Sequence, residues 1–388
     1  MPENTFTHLP VLFGYHASNL GNSHVPLSLC RHWRASGRPV RLTVPSAEEH
    51  LSFPWLQPAM AGLKKRIAYR FGSKTYPRQA AERLFFQTAS GSPAVYLWAG
   101  LSLEIFKCFK AIGTRIIIER INCHQATARR ILKEAYTLWK FDWLDTISND
   151  RIAEENEKLA LADAVFCPSP MVAESMRENG VAEEKLLPTS YGWAPERFPN
   201  ADLPGTDNPR PVFLFVGTLC VRKGIPLLLE AWRRAGIDGD LILCGSVDPE
   251  ITKHFGHQIE SLRVRHVPYT KDVGKFFRQA DVFVFPTLEE GGPMVTYEAM
   301  AHGLVPLVTK MGAGAVTQDG INALVLPDNQ PDDWAEAMAA MADDPELRRR
   351  IGEQARIRAC QFTWSKVAEQ RAVLLEEKFP NLWAKGSG

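Results

Sequence analysis

No two cysteines of this 388-residue chain stand at the spacing of a metal or redox motif. Cys30, Cys108, Cys123, Cys167, Cys220, Cys244 and Cys360 are dispersed, and no Cys-x-x-Cys occurs. A zinc ribbon and a disulfide framework are therefore not expected, and scattered, unpaired thiols fit a reducing compartment such as the cytoplasm. No run approaches the ~20 apolar residues that span a bilayer. The opening Met1-Pro2-Glu3-Asn4-Thr5-Phe6 lacks a basic segment followed by an apolar one, so no signal peptide is expected. A formal net charge of +1 argues against a nucleic-acid binder. No Gly-x-Gly-x-x-Gly is present, which removes the dinucleotide fingerprint.

What is present is an ordinary soluble composition, 45% apolar and 23% charged, in a chain long enough for two cores. Short β-rich runs alternate with helical stretches throughout, the pattern of parallel sheets in an α/β protein. Strands are expected at Pro10–Tyr15, Val40–Val44, Ala94–Trp98, Arg115–Glu119, Asp163–Ser169 and Lys185–Tyr191. A second series is expected at Val212–Val216, Leu241–Cys244, Val264–Val267, Val282–Phe285, Val305–Val308 and Ala323–Leu326. Between the two series, residues 199–210 hold Pro199, Pro204, Gly205 and Pro209 among polar residues and read as a linker. The expected organisation is an N-terminal domain over 1–198, a C-terminal domain over 211–362, and a last helix within 363–388 that returns to the N-terminal domain. Residues 126–162 read as one charged helical region.

The densest chemistry lies at Leu288 to Gly303. Pro286 ends an apolar strand, Gly291 and Gly292 form a turn open to close ligand approach, and Pro293 suits the first position of a helix that Gly303 closes. Glu290 lies in the turn and Glu298 in the helix, roughly 7 Å further along its axis at ~1.5 Å per residue. A buried carboxylate needs donors, and sugar or ribose hydroxyls are donors. The amides of Met294 and Val295 open the helix, a place suited to an anion. Spacing alone equally allows a structural Glu298 and a solvated Glu290. Upstream, Gly217 to Gly224 follows a strand and presents Arg222 and Lys223, a pair suited to a diphosphate or to solvent. Gly21 and His124 fall in strand-to-helix loops, where ligands gather in doubly wound folds, although a turn glycine and a structural histidine are the commoner outcomes.

Residues 51–90 differ from the rest. Lys64, Lys65, Arg66, Arg70, Lys74, Arg78 and Arg83 are answered only by Glu82, with Phe53, Trp55, Tyr69, Phe71, Tyr76, Phe85 and Phe86 between them. Such a stretch suits an anionic membrane face or an acceptor, or a helical face whose aromatics feed the core.

Several of these segments resemble one family. Glu290-Gly291-Gly292-Pro293 through Glu298-Ala299-Met300-Ala301-His302-Gly303 is similar to the signature of the retaining glycosyltransferase family 4, of GT-B architecture. Val216-Gly217 with Arg222-Lys223-Gly224, Ala280 to Pro286, Leu161 to Ala164 with Pro168-Ser169, and Tyr191-Gly192 with Phe198 agree in order and spacing. The resemblance implies two Rossmann-like domains facing a central cleft. It implies a donor that is a UDP- or GDP-linked hexose, a glycan or lipid-linked acceptor, cell-surface polysaccharide or lipopolysaccharide synthesis, retention of configuration, and neither metal nor cofactor. No Asp-x-Asp metal motif follows a strand.

By the same resemblance Glu298 would bind the ribose, Glu290 the transferred sugar, and Arg222 and Lys223 the diphosphate. His124 would touch the sugar, Gly21 would offer its amide, and the base would lie against Val267-Pro268-Tyr269. Thr218 stands where the family often has arginine, Pro268 where it usually has glycine, and the loop Met311 to Val316 lacks a glutamate often found there. A nucleotide-sugar epimerase or hydrolase, and a non-catalytic sugar-nucleotide-binding module, remain as alternatives.

Overall fold

The computed structural model describes residues 8–18, 21–73, 75–98, 100–199, 201, 208–261, 263–380 and 382–383. The N-terminal lobe holds β1 (Leu9–Leu12), β2 (Val40–Val44), β3 (Leu56–Pro58), β4 (Ala94–Trp98), β5 (Arg115–Glu119), β6 (Ala164–Cys167) and β7 (Leu186–Pro188). The C-terminal lobe holds β8 (Val212–Val216), β9 (Asp240–Cys244), β10 (Val264–Val267), β11 (Val282–Phe285), β12 (Val305–Val308) and β13 (Leu324–Val325). The sheets run β3-β2-β1-β4-β5-β6-β7 and β10-β9-β8-β11-β12-β13, and every named pairing is parallel. Both sheets reverse winding direction beside their first strand. The ligand crevice of such a sheet opens at the carboxyl ends there, between β1 and β4 in one lobe and between β8 and β11 in the other.

The strands form where short apolar runs can be covered on both faces. Val282-Phe283-Val284-Phe285 is wholly buried, as is Ala94 to Trp98. Two expectations change. Leu56–Pro58 adds an edge strand to the basic stretch. The charged region after residue 124 is two helices, Gln125–Leu138 and Asn149–Leu161, separated by an irregular segment. In that segment Lys140 takes a positive φ of 58°, and Phe141 packs against His254 of the other lobe with ring centroids 4.6 Å apart.

The rest of the basic stretch divides. Helix Tyr76–Ala89 buries Ala81, Glu82 and Phe85 in the N-lobe core. Helix Gly62–Phe71 buries only Ala68 and leaves Leu63 70% and Phe71 77% exposed. Lys74 lies outside the described residues, as do Pro204 and Gly205 of the linker.

Two crossings join the lobes. Trp193 donates its amide to the Phe362 carbonyl (3.0 Å) and receives the Trp364 amide (3.1 Å). Helix Trp364–Lys378 then lies against helix His24–Ala35, where the Trp33 indole donates to the Ala368 carbonyl at 2.7 Å. No helix among the described residues is long and apolar enough to cross a membrane.

Candidate active site

At the carboxyl end of β8, Gly217 leads into a short 3-10 turn, Val221–Lys223. Gly224 closes it at φ 71°, and a Cβ there would lie 1.9 Å from the Pro286 carbonyl oxygen. Only glycine lets this turn sit directly on the loop that follows β11. Arg222 and Lys223 are therefore brought against Glu289 and Glu290, as the sheet's reversal between β8 and β11 requires.

Lys223 contacts the Glu290 carboxylate and lies 4.9 Å from the centre of the Phe285 ring. Arg222 Nη1 reaches the Glu289 carbonyl at 3.0 Å, Glu289 Oε2 at 3.5 Å and Glu290 Oε2 at 3.9 Å. Burial, with Arg222 adding to it, pushes the Lys223 ammonium down to about 7. Two cations crowded at a desolvated helix-side turn favour an incoming anion, because an anion removes both penalties.

The helix after the glycine turn runs Met294–Ala301, and Pro293 sits just before it rather than in its first position. The Met294 amide is not free; it donates to the Gly292 carbonyl at 2.9 Å. Gly303 closes the helix at φ 76°, its amide bonded to the Met300 carbonyl. The helix is buried around most of its surface, and Glu298 is 6% exposed. Burial pushes the Glu298 carboxyl up to about 7, against the pull of Arg197, whose Nη1 stands 3.3 Å from Glu298 Oε1. Arg197 belongs to the N-lobe side of the first crossing and also helps burial push the His24 imidazole down to about 4. His24 opens the helix behind Gly21, so the charge that touches Glu298 is also felt at the start of that helix.

The two turn glycines serve a different neighbour from the one their positions suggest. A Cβ at Gly291 would lie 1.8 Å from the Ile121 carbonyl oxygen, and one at Gly292 would lie 2.3 Å from the Tyr191 ring. Both neighbours come from the N lobe. The close approach is lobe against lobe.

His124 does not reach the cleft. It is 0% exposed; its Nδ1 accepts the Ala126 amide as the cap of helix Gln125–Leu138. Its Nε2 meets Asn156 Oδ1 at 2.8 Å and Glu155 Oε2 at 3.4 Å. Both ring nitrogens are thus engaged inside the N lobe, and no sugar contact is available to them here. Gly21 is exposed at φ 58° in the loop after β1. Tyr269 is 65% exposed after edge strand β10. Neither is drawn into the charged cluster. Arg197, Asn122 and Glu289 were not singled out from sequence, because each acts through a partner 100 residues or more away in the chain.

Residues 210–344 match the family model described as Glycosyl transferases group 1. D-inositol 3-phosphate glycosyltransferase from Paenarthrobacter aurescens is 30% identical over 175 residues, 42% of this chain and 42% of that one. The chain spans about half the length, or less, of the curated relatives it matches first. Sucrose-phosphate synthase from Thermosynechococcus elongatus has a TM-score of 0.70 at 19% identity, covering 96% of this chain and 99% of that one. WaaG, a glycosyltransferase involved in lipopolysaccharide biosynthesis, has a TM-score of 0.65 at 15% identity, covering 94% and 99%. The GT-B fold and the likeness to family 4 glycosyltransferases read from the sequence both hold.

Proposed function

We propose that this chain transfers a hexose from a UDP- or GDP-sugar to a glycan or lipid-linked acceptor with retention of configuration, in cell-surface polysaccharide or lipopolysaccharide synthesis. The observation that carries the reading is the gathering of Arg222 and Lys223, behind β8, on the loop that leads from β11 into the Glu298 helix. Charge that develops on a departing diphosphate is best stabilised by cations already fixed in a dry place. Arg222 offers a planar fork and Lys223 a point charge. In the bound state the diphosphate takes Lys223 from Glu290, and Glu290 turns its carboxylate to the hydroxyls of the transferred sugar. Glu298, steadied by Arg197, accepts from the ribose. Gly217, Gly291, Gly292, Pro293, Met294 and Val295 border the phosphates, Gly21 faces them from the N lobe, and Tyr269 lies beside the base.

No metal takes part in this reading. The reaction occurs in the cytoplasm or at the inner membrane face, where helix Gly62–Phe71 rests its exposed Leu63, Ile67 and Phe71 on lipid and its Lys64, Arg66 and Arg70 on anionic headgroups, Lys65 being turned inward to the Ala47 carbonyl at 2.8 Å.

The test is a panel of UDP- and GDP-sugars read by thermal shift, followed by transfer assays with the donor that raises Tm. A bound donor stabilises the folded state by mass action. Lys223→Ala should retain the fold and lose about 100-fold or more in kcat, and a chelator should leave the wild-type rate unchanged. Absence of any nucleotide-dependent shift would sink the reading. Fast donor consumption without acceptor would replace it with a hydrolase.

A further inference from the structure

Glu289 stands beside a proposed sugar-binding residue and is itself given no substrate to touch. It is 3% exposed. A carboxylate so deeply placed is tolerated only when its oxygens are bonded. Asn122 Nδ2 donates to both of them, at 3.0 and 3.1 Å. The Cys123 thiol donates to Oε1 at 3.4 Å. Arg222 Nη1 meets Oε2 at 3.5 Å. Asn122 and Cys123 follow β5 in the N lobe, whereas Glu289 and Arg222 belong to the C lobe. Burial and the Glu289 carboxylate both push the Cys123 thiol upward, so it remains a protonated donor. The backbones beside this cluster touch at Gly291 and Ile121, the contact that any side chain at 291 would break.

We infer that Glu289 is an interlobe latch, a positioning residue that couples closure of the lobes to the placement of Arg222. The inference rests on Arg222 being a diphosphate cation. With the lobes together, Asn122 and Cys123 satisfy the carboxylate. Every bond that Arg222 gives to this loop then passes through Nη1 alone, which leaves Nε and Nη2 for the phosphates. When the lobes part, Glu289 loses both N-lobe donors. Its remaining partner is Arg222, so the carboxylate captures the guanidinium and competes with the diphosphate. Donor affinity is thereby low in the open form and high in the closed one.

Cys123 supplies a readout that does not depend on turnover, because at 1% exposure it is shielded until the contact opens. The full-length protein is treated with N-ethylmaleimide and labelling at each cysteine is followed by peptide mass spectrometry. Cys167, 0% exposed inside β6, reports global unfolding. Without nucleotide, Asn122→Ala should speed Cys123 labelling about tenfold, the worth of a hydrogen bond to a charged group, and leave Cys167 unchanged. Asn122→Asp should speed it further, since it sets a carboxylate against Glu289. Equal Cys123 rates in wild type and both variants would overturn the latch.

UDP and GDP are then added. The nucleotide that raises wild-type Tm should slow Cys123 labelling in wild type, and Asn122→Ala should weaken its binding about tenfold, whereas Glu289→Gln, which has no charge to capture Arg222, should bind it at least as tightly as wild type. Donor KM should rise in Asn122→Ala by more than kcat falls. A nucleotide that raises Tm but binds wild type and Asn122→Ala equally would overturn the coupling. Failure of both nucleotides to raise Tm would instead overturn the donor-site reading beneath it, while the nucleotide-free rates still decide whether the lobes are latched.

Discussion

Both lobes have one topology, and both place charge at the carboxyl ends of their strands, yet they use it oppositely. In the N lobe the charges close on each other. Glu119, the last residue of β5, is 0% exposed and takes two bonds from Arg371, at 2.8 and 3.2 Å, together with one from the Tyr96 hydroxyl. Arg120 is bound to Glu155, and Glu155 also accepts the Gln125 amide at 2.7 Å. In the C lobe the counterparts are paired but strained. Lys223 meets Glu290 and Arg222 meets Glu289, yet burial and the neighbouring Arg222 push Lys223 down to about 7, and burial pushes Glu298 up to about 7 with Arg197 3.3 Å away. Charge locked in mutual pairs makes a frame; strained charge makes a place for a ligand.

The largest effect on stability should therefore come from the frame. Arg371 lies in the last helix, 0% exposed, and also donates to the Ser190 carbonyl at 2.9 Å. Burial works against its charge, but Glu119 holds the guanidinium above its usual range. Arg371→Met leaves Glu119 buried and unpaired and should cost about 3–5 kcal/mol, read by urea unfolding. Glu119→Gln combined with Arg371→Met should recover much of that loss, because the uncompensated charge is gone. A cost near zero for the single variant would erase the contrast between the lobes.

Glu298 should behave with the opposite sign. Its carboxyl is raised from 4.5 in the unfolded chain to about 7 in the folded one. The folded state then binds the extra proton, so the stability it contributes is full below pH 4.5 and is lost as pH rises toward 7. Integrated over that shift, the ionised carboxylate costs about 3 kcal/mol above pH 7. Glu298→Gln should make the protein more stable than wild type at pH 8, with little change at pH 4, while nucleotide affinity falls. Lys223 titrates the other way and loses its charge above about 7. Nucleotide binding should thus peak near pH 7, falling on the acid side with Glu298 and on the alkaline side with Lys223. Melting curves and titrations across pH 5–9 test both arms; a destabilised Glu298→Gln at pH 8 would place this residue with the frame.

The same division explains what could be read from residues alone. Buried parallel strands announce themselves as short β-branched and aromatic runs, so β2, β4, β5, β8, β11 and β12 fall where those runs do. Leu56–Pro58 escaped because it is a three-residue edge strand that ends in proline. The break after Leu138 escaped because Lys140, not glycine, takes the left-handed turn. What holds that break is Phe141 against the distant His254. At the site, Arg222, Lys223, Glu290 and Glu298 were legible as residue types in local spacing. Their partners were not. Asn122 reaches Glu289 and Arg197 reaches Glu298 only after two lobes have folded and met. The glycines at 291 and 292 were legible as places of close approach, but a sequence does not say what approaches.

His124 gives the smallest expected effect and the sharpest discrimination. By the family resemblance it would touch a sugar; in the structure its Nδ1 caps a helix and its Nε2 is spent on Asn156. A helix cap is worth about 1 kcal/mol, and asparagine caps as well as histidine does. His124→Asn should therefore lower stability by only about 1 kcal/mol, and kcat per folded molecule should fall by no more than about twofold or threefold. A side chain that contacts developing charge in the transition state would instead cost about 100-fold when removed. A normally folded His124→Asn with so deep a loss of turnover would mean that the frame of the N lobe rearranges around the substrate, and that the paired charges beside β5 are one state of a second working edge.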